Sequence, residues 1–381
     1  MVMCTRKHYA ICFVWKLKTM MNLQQTKHIH SIQHLTIGTR ASKLAMIQTQ
    51  WVVQRLRQQW PELDISIETI HTTGDRVTQK PLTQIGGDGV FVIEIERALQ
   101  EGRIDLAVHS LKDMPTLQPN GLRLVVTGPR EDVRDVLIYK TPLPTQNLLS
   151  LLNGTNESLR IGTSSLRRTA QIRALCPQDA SIQLLPIRGN VDTRLRKLDA
   201  GDYDAIVLAA AGLHRLHLHE QLADRLLYVP TEQILPAPGQ GALGLEIRDE
   251  PAMRNLLTPL QDHDVQAATS AERMFMRRLG AGCYLPVAAY GEHTSGILSL
   301  SGLVISEDGQ TRVRVQKHVS WNKAYSLENA EQLGILLADE ALAQGARSIV
   351  NTVVRDIRQG QEFVESNKPL EEASKQEHLH V

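Results

Sequence analysis

The chain has 381 residues, 42% hydrophobic and 22% charged, and its 42 Lys and Arg against 41 Asp and Glu leave a formal net charge of +1. That length exceeds one ordinary core and predicts two or three domains, while the composition excludes wholesale disorder. The balanced charge and an aromatic content of 4% exclude a diffuse basic field or a base-stacking face for nucleic acid, so any anion must be held by a local cluster.

Residues 1–33 stand apart. Arg6 and Lys7, an apolar patch from Tyr9 to Trp15, and Lys16 and Lys18 resemble a signal peptide only faintly, because no small-residue cleavage site follows. The segment is expected to lie outside the fold, as a disordered extension or as a misassigned start ahead of Met20 or Met21.

Leu35 to Ile37 reads as a strand that runs through a Gly38-Thr39 turn into a helix start at Arg40 to Ala45. Leu44, Ile47, Trp51 and Leu56 then recur at helical spacing until Pro61. Ile65 to Ile70 alternates as a strand and ends at the turn Thr72 to Asp75. The glycine-rich loop Ile85 to Gly89 has no Walker lysine and is not a phosphate loop. A helix from Phe91 to Gln100 leads to Asp105–Thr116, DLAVHSLKDMPT. Here a short apolar strand changes at once into His109, Ser110, Lys112 and Asp113, with Pro115 forbidding a helix, so polar groups are expected at the mouth of a strand. Leu122 to Thr127 is a further strand and Gly128 to Asp132 a hinge. Alternating strand and helix predicts a parallel-rich α/β lobe.

A second such block repeats the device. Arg160 to Arg168 is again strand, Gly-Thr, hydroxyl residues and helix start, now with arginines. Strand Ile182 to Ile187 runs into Arg188 to Arg194, and strand Asp204 to Leu208 into Ala209 to Arg215. Leu235 to Gly241 is a rigid crossover, returning to the first lobe through strand Leu243 to Ile247. Two similar halves with anion-ready helix starts predict a cleft between lobes. From about Asp262 the order becomes a long helix, the loop Leu279 to Pro286, strands Val287 to Tyr290, Leu298 to Ile305 and Val313 to Val319, and a helix from about Leu327. That order is a small α+β domain. The expected domains are 34–129 with 233–260, then 130–232, then 261–358, with a disordered tail over 359–381.

Arg40, Arg167, Arg168, Arg188, Arg194 and Arg215 all fall at strand ends or helix starts, the edge where open α/β sheets bind ligands. A helix N-terminus contributes only about 0.3 to 1 kcal/mol toward an anion. A charged hydrogen bond from arginine adds roughly 1.5 to 3 kcal/mol, and its planar fork suits carboxylates. The arginines should dominate, with Ser42, Thr163, Ser164 and Ser165 orienting a polyanionic ligand. The four cysteines, Cys4, Cys12, Cys176 and Cys283, have neither paired spacing nor a C-x-x-C, which disfavours a disulfide framework and structural zinc and fits a reducing cytosol. Cys283 reads either as a small buried residue or as a thiolate activated by the arginine cleft. His214, His217, His219 and Glu220 resemble a metal cluster but read as a solvated helix end, so no metal is expected. The longest apolar run, Ala205 to Leu213, is far short of the roughly 20 residues that cross a bilayer.

Taken in order, GTRASKLA, GGDGVFVIEIE, DLAVHSLKDMP, GTSSLRR, RGNVDTRL, AAAGLHRL, PGQGALGLE and GAGCYLP resemble the porphobilinogen deaminase (hydroxymethylbilane synthase) family from about Leu35 through the third domain. The resemblance implies two lobes similar to periplasmic binding proteins plus the small C-terminal domain. It also implies a dipyrromethane cofactor joined by a thioether to Cys283, and four porphobilinogen units added head to tail with loss of ammonia. By resemblance Asp113 is the catalytic carboxylate. Arg40, Ser42, Lys112, Asp113, Thr163, Ser164, Ser165, Arg167, Arg168, Arg188, Gly189 and Arg194 match the cofactor contacts. Arg40, Ser42, Arg188, Arg194 and Arg215 match the substrate contacts, and Gln240 a hinge glutamine. A monomeric cytoplasmic enzyme passing hydroxymethylbilane to a uroporphyrinogen III synthase is what the family implies, with no nucleic acid or membrane partner.

The chemistry agrees with that implication. Loss of ammonia from an aminomethylpyrrole leaves a cationic azafulvene, and attack by the chain-end pyrrole creates a second cation. One preorganised carboxylate stabilising both can contribute roughly 3 to 4 kcal/mol. The sequence departs from the family where Asp88 and Ile93 stand in place of the usual lysines. The rival reading, a two-lobed carboxylate-binding receptor or regulatory module, accounts for the arginines but not for Cys283 or the third domain.

Overall fold

The computed structural model describes residues 32–76, 89, 91–153, 158–176, 182–280, 282, 285–322 and 327–355. Two five-stranded sheets form two lobes, and a three-stranded sheet with two long helices forms a small C-terminal domain.

The first sheet has the order β2-β1-β3-β10-β4, built from β1 (His34–Arg40), β2 (Asp64–Ile70), β3 (Leu106–Ser110), β4 (Leu122–Thr127) and β10 (Leu243–Arg248). The second repeats the pattern as β7-β6-β8-β5-β9, from β5 (Asp135–Tyr139), β6 (Leu159–Gly162), β7 (Ile182–Leu185), β8 (Ala205–Ala209) and β9 (Leu226–Val229). β1 is parallel to β2 and β3, and β6 to β7 and β8. In each sheet the fourth position is antiparallel to both neighbours.

Four of the five strands in each sheet thus run the same way, as expected for parallel-rich lobes, and the one reversed strand has a topological cause. β5 and β10 are the strands that receive the chain from the other lobe. A chain arriving through the hinge enters at the cleft edge and must run away from it, whereas the neighbouring strands run toward it. Sequence reading found β10 and missed β5 and β9, whose apolar runs of four or five residues carry no flanking glycine.

Helix α1 (Lys43–Gln59) begins at Ser42, whose side chain accepts from the Ala45 N–H, and buries Ala45, Gln48, Thr49, Val52, Val53 and Leu56 along one face. Helix α2 (Ile93–Gln100) starts two residues later than the sequence suggests, since Val92 takes the cap position. Helices α3 (Leu148–Asn153), α4 (Leu166–Leu175), α5 (Val191–Ala200) and α6 (Ala210–Arg215) belong to the second lobe, and α7 (Pro251–Leu257) packs back on the first.

In the C-terminal domain, α8 (His263–Arg278) and α9 (Leu327–Ala343) cover the antiparallel meander β11 (Val287–Thr294), β12 (Ile297–Ile305) and β13 (Arg312–Ser320). Their core gathers Phe275, Leu298, Leu300, Leu333 and Leu337, all fully or nearly fully buried. Truncating Phe275 there would cost about 3 to 5 kcal/mol.

Candidate functional site

The cleft edge carries the C-terminal ends of β1, β3, β6, β7 and β8. Immediately after β3 the chain makes a single 3-10 turn, Leu111–Asp113, that buries Leu111 and leaves Asp113 exposed. Lys112 reaches Gln240 Oε1 at 3.3 Å. Burial, with help from the neighbouring Arg168, pushes the Lys112 ammonium down to about 8, against the opposing pull of Asp113 and Asp135. Of the four polar side chains expected at this strand mouth, His109 turns out to be internal and Ser110 half-buried. His109 is buried with its Nε2 3.0 Å from Glu246 Oε2, and Ser110 Oγ lies 3.0 Å from the Gln48 amide.

On the same edge, Arg40 stacks over the Phe91 ring, 4.2 Å from its centroid. Ser42 and Ser165 cap α1 and α4. Thr163 Oγ1 accepts from the Ser165 N–H, and Ser164 Oγ is bonded to both the carbonyl and the N–H of Ile187. Each of these hydroxyls spends acceptor capacity inside the protein, so they shape the loop as well as line it.

Gly189 adopts φ 113°, and a Cβ there would sit 2.6 Å from Thr193 Cγ2, so only glycine fits this turn. Its carbonyl accepts from Arg194 Nε at 2.8 Å. Burial pushes Arg194 down to about 10, helped by Arg168 and Arg188 and opposed by Asp113. Arg188 is likewise lowered by burial. Arg215 donates to the Gly241 carbonyl at 2.7 Å and is pushed down to about 10 by burial, with Glu131 opposing. These shifts place Asp113, Lys112, Arg168, Arg188 and Arg194 in one electrostatic neighbourhood.

Arg167 and Arg168 are deeper than sequence reading supposed. Their Nη2 atoms each donate at 2.8 Å to a different oxygen of Asp135, and their Nη1 atoms donate to the carbonyls of Leu235 and Val207. Burial works against the Asp135 charge, yet the two guanidiniums hold its carboxyl far below the usual carboxylate range. Gln240, fully buried, donates to Asp135 Oδ1 at 2.9 Å and to the Val133 carbonyl at 2.7 Å. Asp135 was not singled out from sequence, because in GPREDVRDVLIY nothing distinguishes it from Asp132.

The connection to the third domain runs through the same segment. Arg273 of α8 donates to the carbonyls of Met114 and Pro115, one and two residues beyond Asp113. Cys283 and Asp88 lie outside the described residues, as do most of the N-terminal extension and the tail. Ile93 is exposed at the start of α2.

His214 corrects its solvated-face reading. It is half-buried, with Nδ1 2.9 Å from Glu131 and Nε2 2.9 Å from the Tyr228 hydroxyl, and it packs against the His219 ring. Among the described residues, no three His, Cys, Asp or Glu side chains are grouped to hold a metal ion, and no helix is long and apolar enough to cross a membrane.

A ligand bearing several carboxylates suits this donor set. Besides the guanidiniums that line the edge, the Nε atoms of Arg167 and Arg168 are buried without a hydrogen-bond partner among the described residues. Such orphaned donors are costly unless something else accepts from them.

Residues 35–255 match the family model described as "Porphobilinogen deaminase, dipyromethane cofactor binding domain", and residues 267–343 match "Porphobilinogen deaminase, C-terminal domain". The porphobilinogen deaminase of Roseiflexus sp. (strain RS-1) is 44% identical over 319 residues, covering 84% of this chain and 99% of that protein. That of Syntrophotalea carbinolica is 44% identical over 317 residues, covering 83% of this chain and 95% of that protein. Among solved structures, the periplasmic aliphatic sulphonate binding protein SsuA from Escherichia coli aligns with 64% of this chain and 70% of its own, at 14% identity and a TM-score of 0.34.

Proposed function

The chain belongs to the porphobilinogen deaminase family, and from that premise we propose that its cleft joins porphobilinogen units head to tail with Asp113 as the carboxylate at the reacting atoms. The observation that carries this assignment is the position of Asp113. It is exposed at the cleft edge, directly after β3, and its charge opposes the lowering of both Lys112 and Arg194.

In each addition the aminomethyl C–N bond of porphobilinogen breaks and ammonia leaves. A carbon–carbon bond then forms between that methylene and the free α-carbon of the chain end, and the α-carbon loses its proton. Positive charge spreads over a pyrrole ring twice in this sequence. A fixed carboxylate near the ring nitrogen stabilises both states, and an amide in its place does not. The acetate and propionate groups of the rings are held by Arg40, Lys112, Arg188, Arg194 and Arg215, with Ser42, Thr163, Ser164, Ser165 and Gly189 completing the wall.

A dipyrromethane, when bound, supplies the pyrrole end from which the chain is extended. Arg167, Arg168 and Lys112 are the residues that would hold its carboxylates, and Cys283 is the thiol that would carry it. The assignment brings with it a transferase working as a monomer in the cytoplasm and handing hydroxymethylbilane to a uroporphyrinogen III synthase. It also brings three domains, 34–129 with 233–260, 130–232 and 261–358. A carboxylate-binding receptor without catalysis would leave the match of residues 267–343 without a role.

Intact-mass measurement of the purified chain tests the assignment. The wild type is expected to exceed its polypeptide mass by one dipyrromethane, and Cys283→Ala to lose that excess together with turnover. An active wild type of unmodified mass would overturn it.

A further inference from the structure

We propose that Asp135 is a positioning residue for the reaction, setting the orientation of Arg167 and Arg168 before any ligand arrives. This rests on the cleft being the polypyrrole site.

Asp135 is the first residue of β5, the strand that enters the second lobe at the cleft edge, and it is fully buried opposite Ala209 and Val229. Its Oδ2 accepts from Arg167 Nη2 and its Oδ1 from Arg168 Nη2, both at 2.8 Å, and Oδ1 also accepts from Gln240 Nε2 at 2.9 Å. Arg167 Nη1 is fixed to the Leu235 carbonyl at 2.7 Å and Arg168 Nη1 to the Val207 carbonyl at 2.9 Å. Each guanidinium plane is therefore pinned at both terminal nitrogens. What remains unsatisfied, among the described residues, is the buried Nε–H of each.

Two cations on one carboxylate leave a net positive charge on the trio, the balance that admits one further carboxylate. Without Asp135 the two guanidiniums would repel each other in a poorly solvated site and turn apart. The chain of contacts continues from Asp135 through Gln240 to Lys112 Nζ at 3.3 Å, and Lys112 adjoins Asp113. One buried carboxylate thus aligns the second lobe's arginines with the first lobe's catalytic segment.

Stability alone does not account for the arrangement. A buried ion triad is commonly no more stabilising than apolar residues of the same volume, and here it leaves two donors orphaned. Positioned donors lose less on binding than donors that must be ordered first.

The test compares full-length wild type, Asp135→Glu and Asp135→Asn for unfolding midpoint, for the fraction carrying the covalent mass excess, and for KM and kcat with porphobilinogen. Asp135→Glu keeps the charge but lengthens the side chain. Through Gln240 it also displaces Lys112, which holds ring carboxylates of the substrate, so its KM is expected to rise about tenfold to a hundredfold, with kcat of the loaded enzyme unchanged. Asp135→Asn is expected to lose about nine-tenths or more of its cofactor loading, a tenfold effect of the size of one charged hydrogen bond. Asp135→Glu with wild-type KM would mean that only the charge is needed and would overturn the proposal, as would loading losses that merely follow the unfolding midpoint at constant KM. If Asp135→Asn does not fold, Asp135→Glu decides alone. A wild type with neither mass excess nor turnover would sink the functional assignment instead.

Discussion

Arg130 and Glu272 meet side by side in the interior, Nη1 to Oε1 at 2.7 Å and Nη2 to Oε2 at 3.0 Å, although 142 positions separate them in sequence. The Glu272 carboxylate also accepts from the backbone N–H of Gly239 at 2.6 Å and of Gly291 at 2.7 Å. Arg130 sits on one interlobe connection, Gly239 on the other and Gly291 in the C-terminal domain. A single fully buried carboxylate therefore ties both hinge strands to that domain.

Glu272→Gln should destabilise the protein strongly. The amide presents N–H groups where the carboxylate accepted, and Arg130 is left without its counter-charge, for a cost of about 3 to 5 kcal/mol. Denaturant unfolding measures this, and a loss below about 1 kcal/mol would contradict the role given to the pair.

Asp113→Asn should leave stability within about 0.5 kcal/mol of wild type, because the side chain is exposed. Turnover should fall by about a hundredfold to a thousandfold, the size expected for one preorganised electrostatic partner. Near-normal product formation by a folded Asp113→Asn would remove Asp113 from the mechanism.

Lys112 carries its charge below about pH 8 and loses it above, since burial first and Arg168 second lower its pKa to about 8. KM for porphobilinogen is expected to rise through this window by up to about tenfold, the contribution of one charge-assisted hydrogen bond. Lys112→Arg should abolish that rise, because arginine stays protonated there. A KM–pH profile identical in the two proteins would refute the link.

Glu96 lies near the buried His109–Glu246 pair, and burial, then Glu246, raise its pKa from 4.5 to about 7, with His109 opposing. The folded state thus keeps a proton that the unfolded chain has released. The stability this group contributes is complete below pH 4.5 and is lost as the pH rises through about 7. Glu96→Gln should flatten the decline of Tm across that interval, and an unchanged slope of Tm against pH would rule Glu96 out as its source.

Much of the candidate site was legible in the chain because its residues sit where strands end. Arg40, Asp113, Arg188 and Arg215 each follow an apolar run that stops abruptly at polar residues, and strand ends face the crevice in open α/β sheets. The meander of the C-terminal domain was equally plain, since β11, β12 and β13 alternate along most of their length. His109 was misjudged for the same reason: its polarity suggested the strand mouth, whereas Glu246 on β10 takes it into the interior.

Sequence by itself determined most of the elements, β5 and β9 excepted, and the order in which they occur, because burial periodicity and turn residues act over a few neighbouring positions. Only the tertiary structure decided which charges answer one another, Asp135 with Arg167 and Arg168, and Glu272 with Arg130, and which way β5 and β10 run. Those outcomes depend on where two crossing strands re-enter each sheet, and an ion pair made across such a crossing leaves no periodic trace in the chain that forms it.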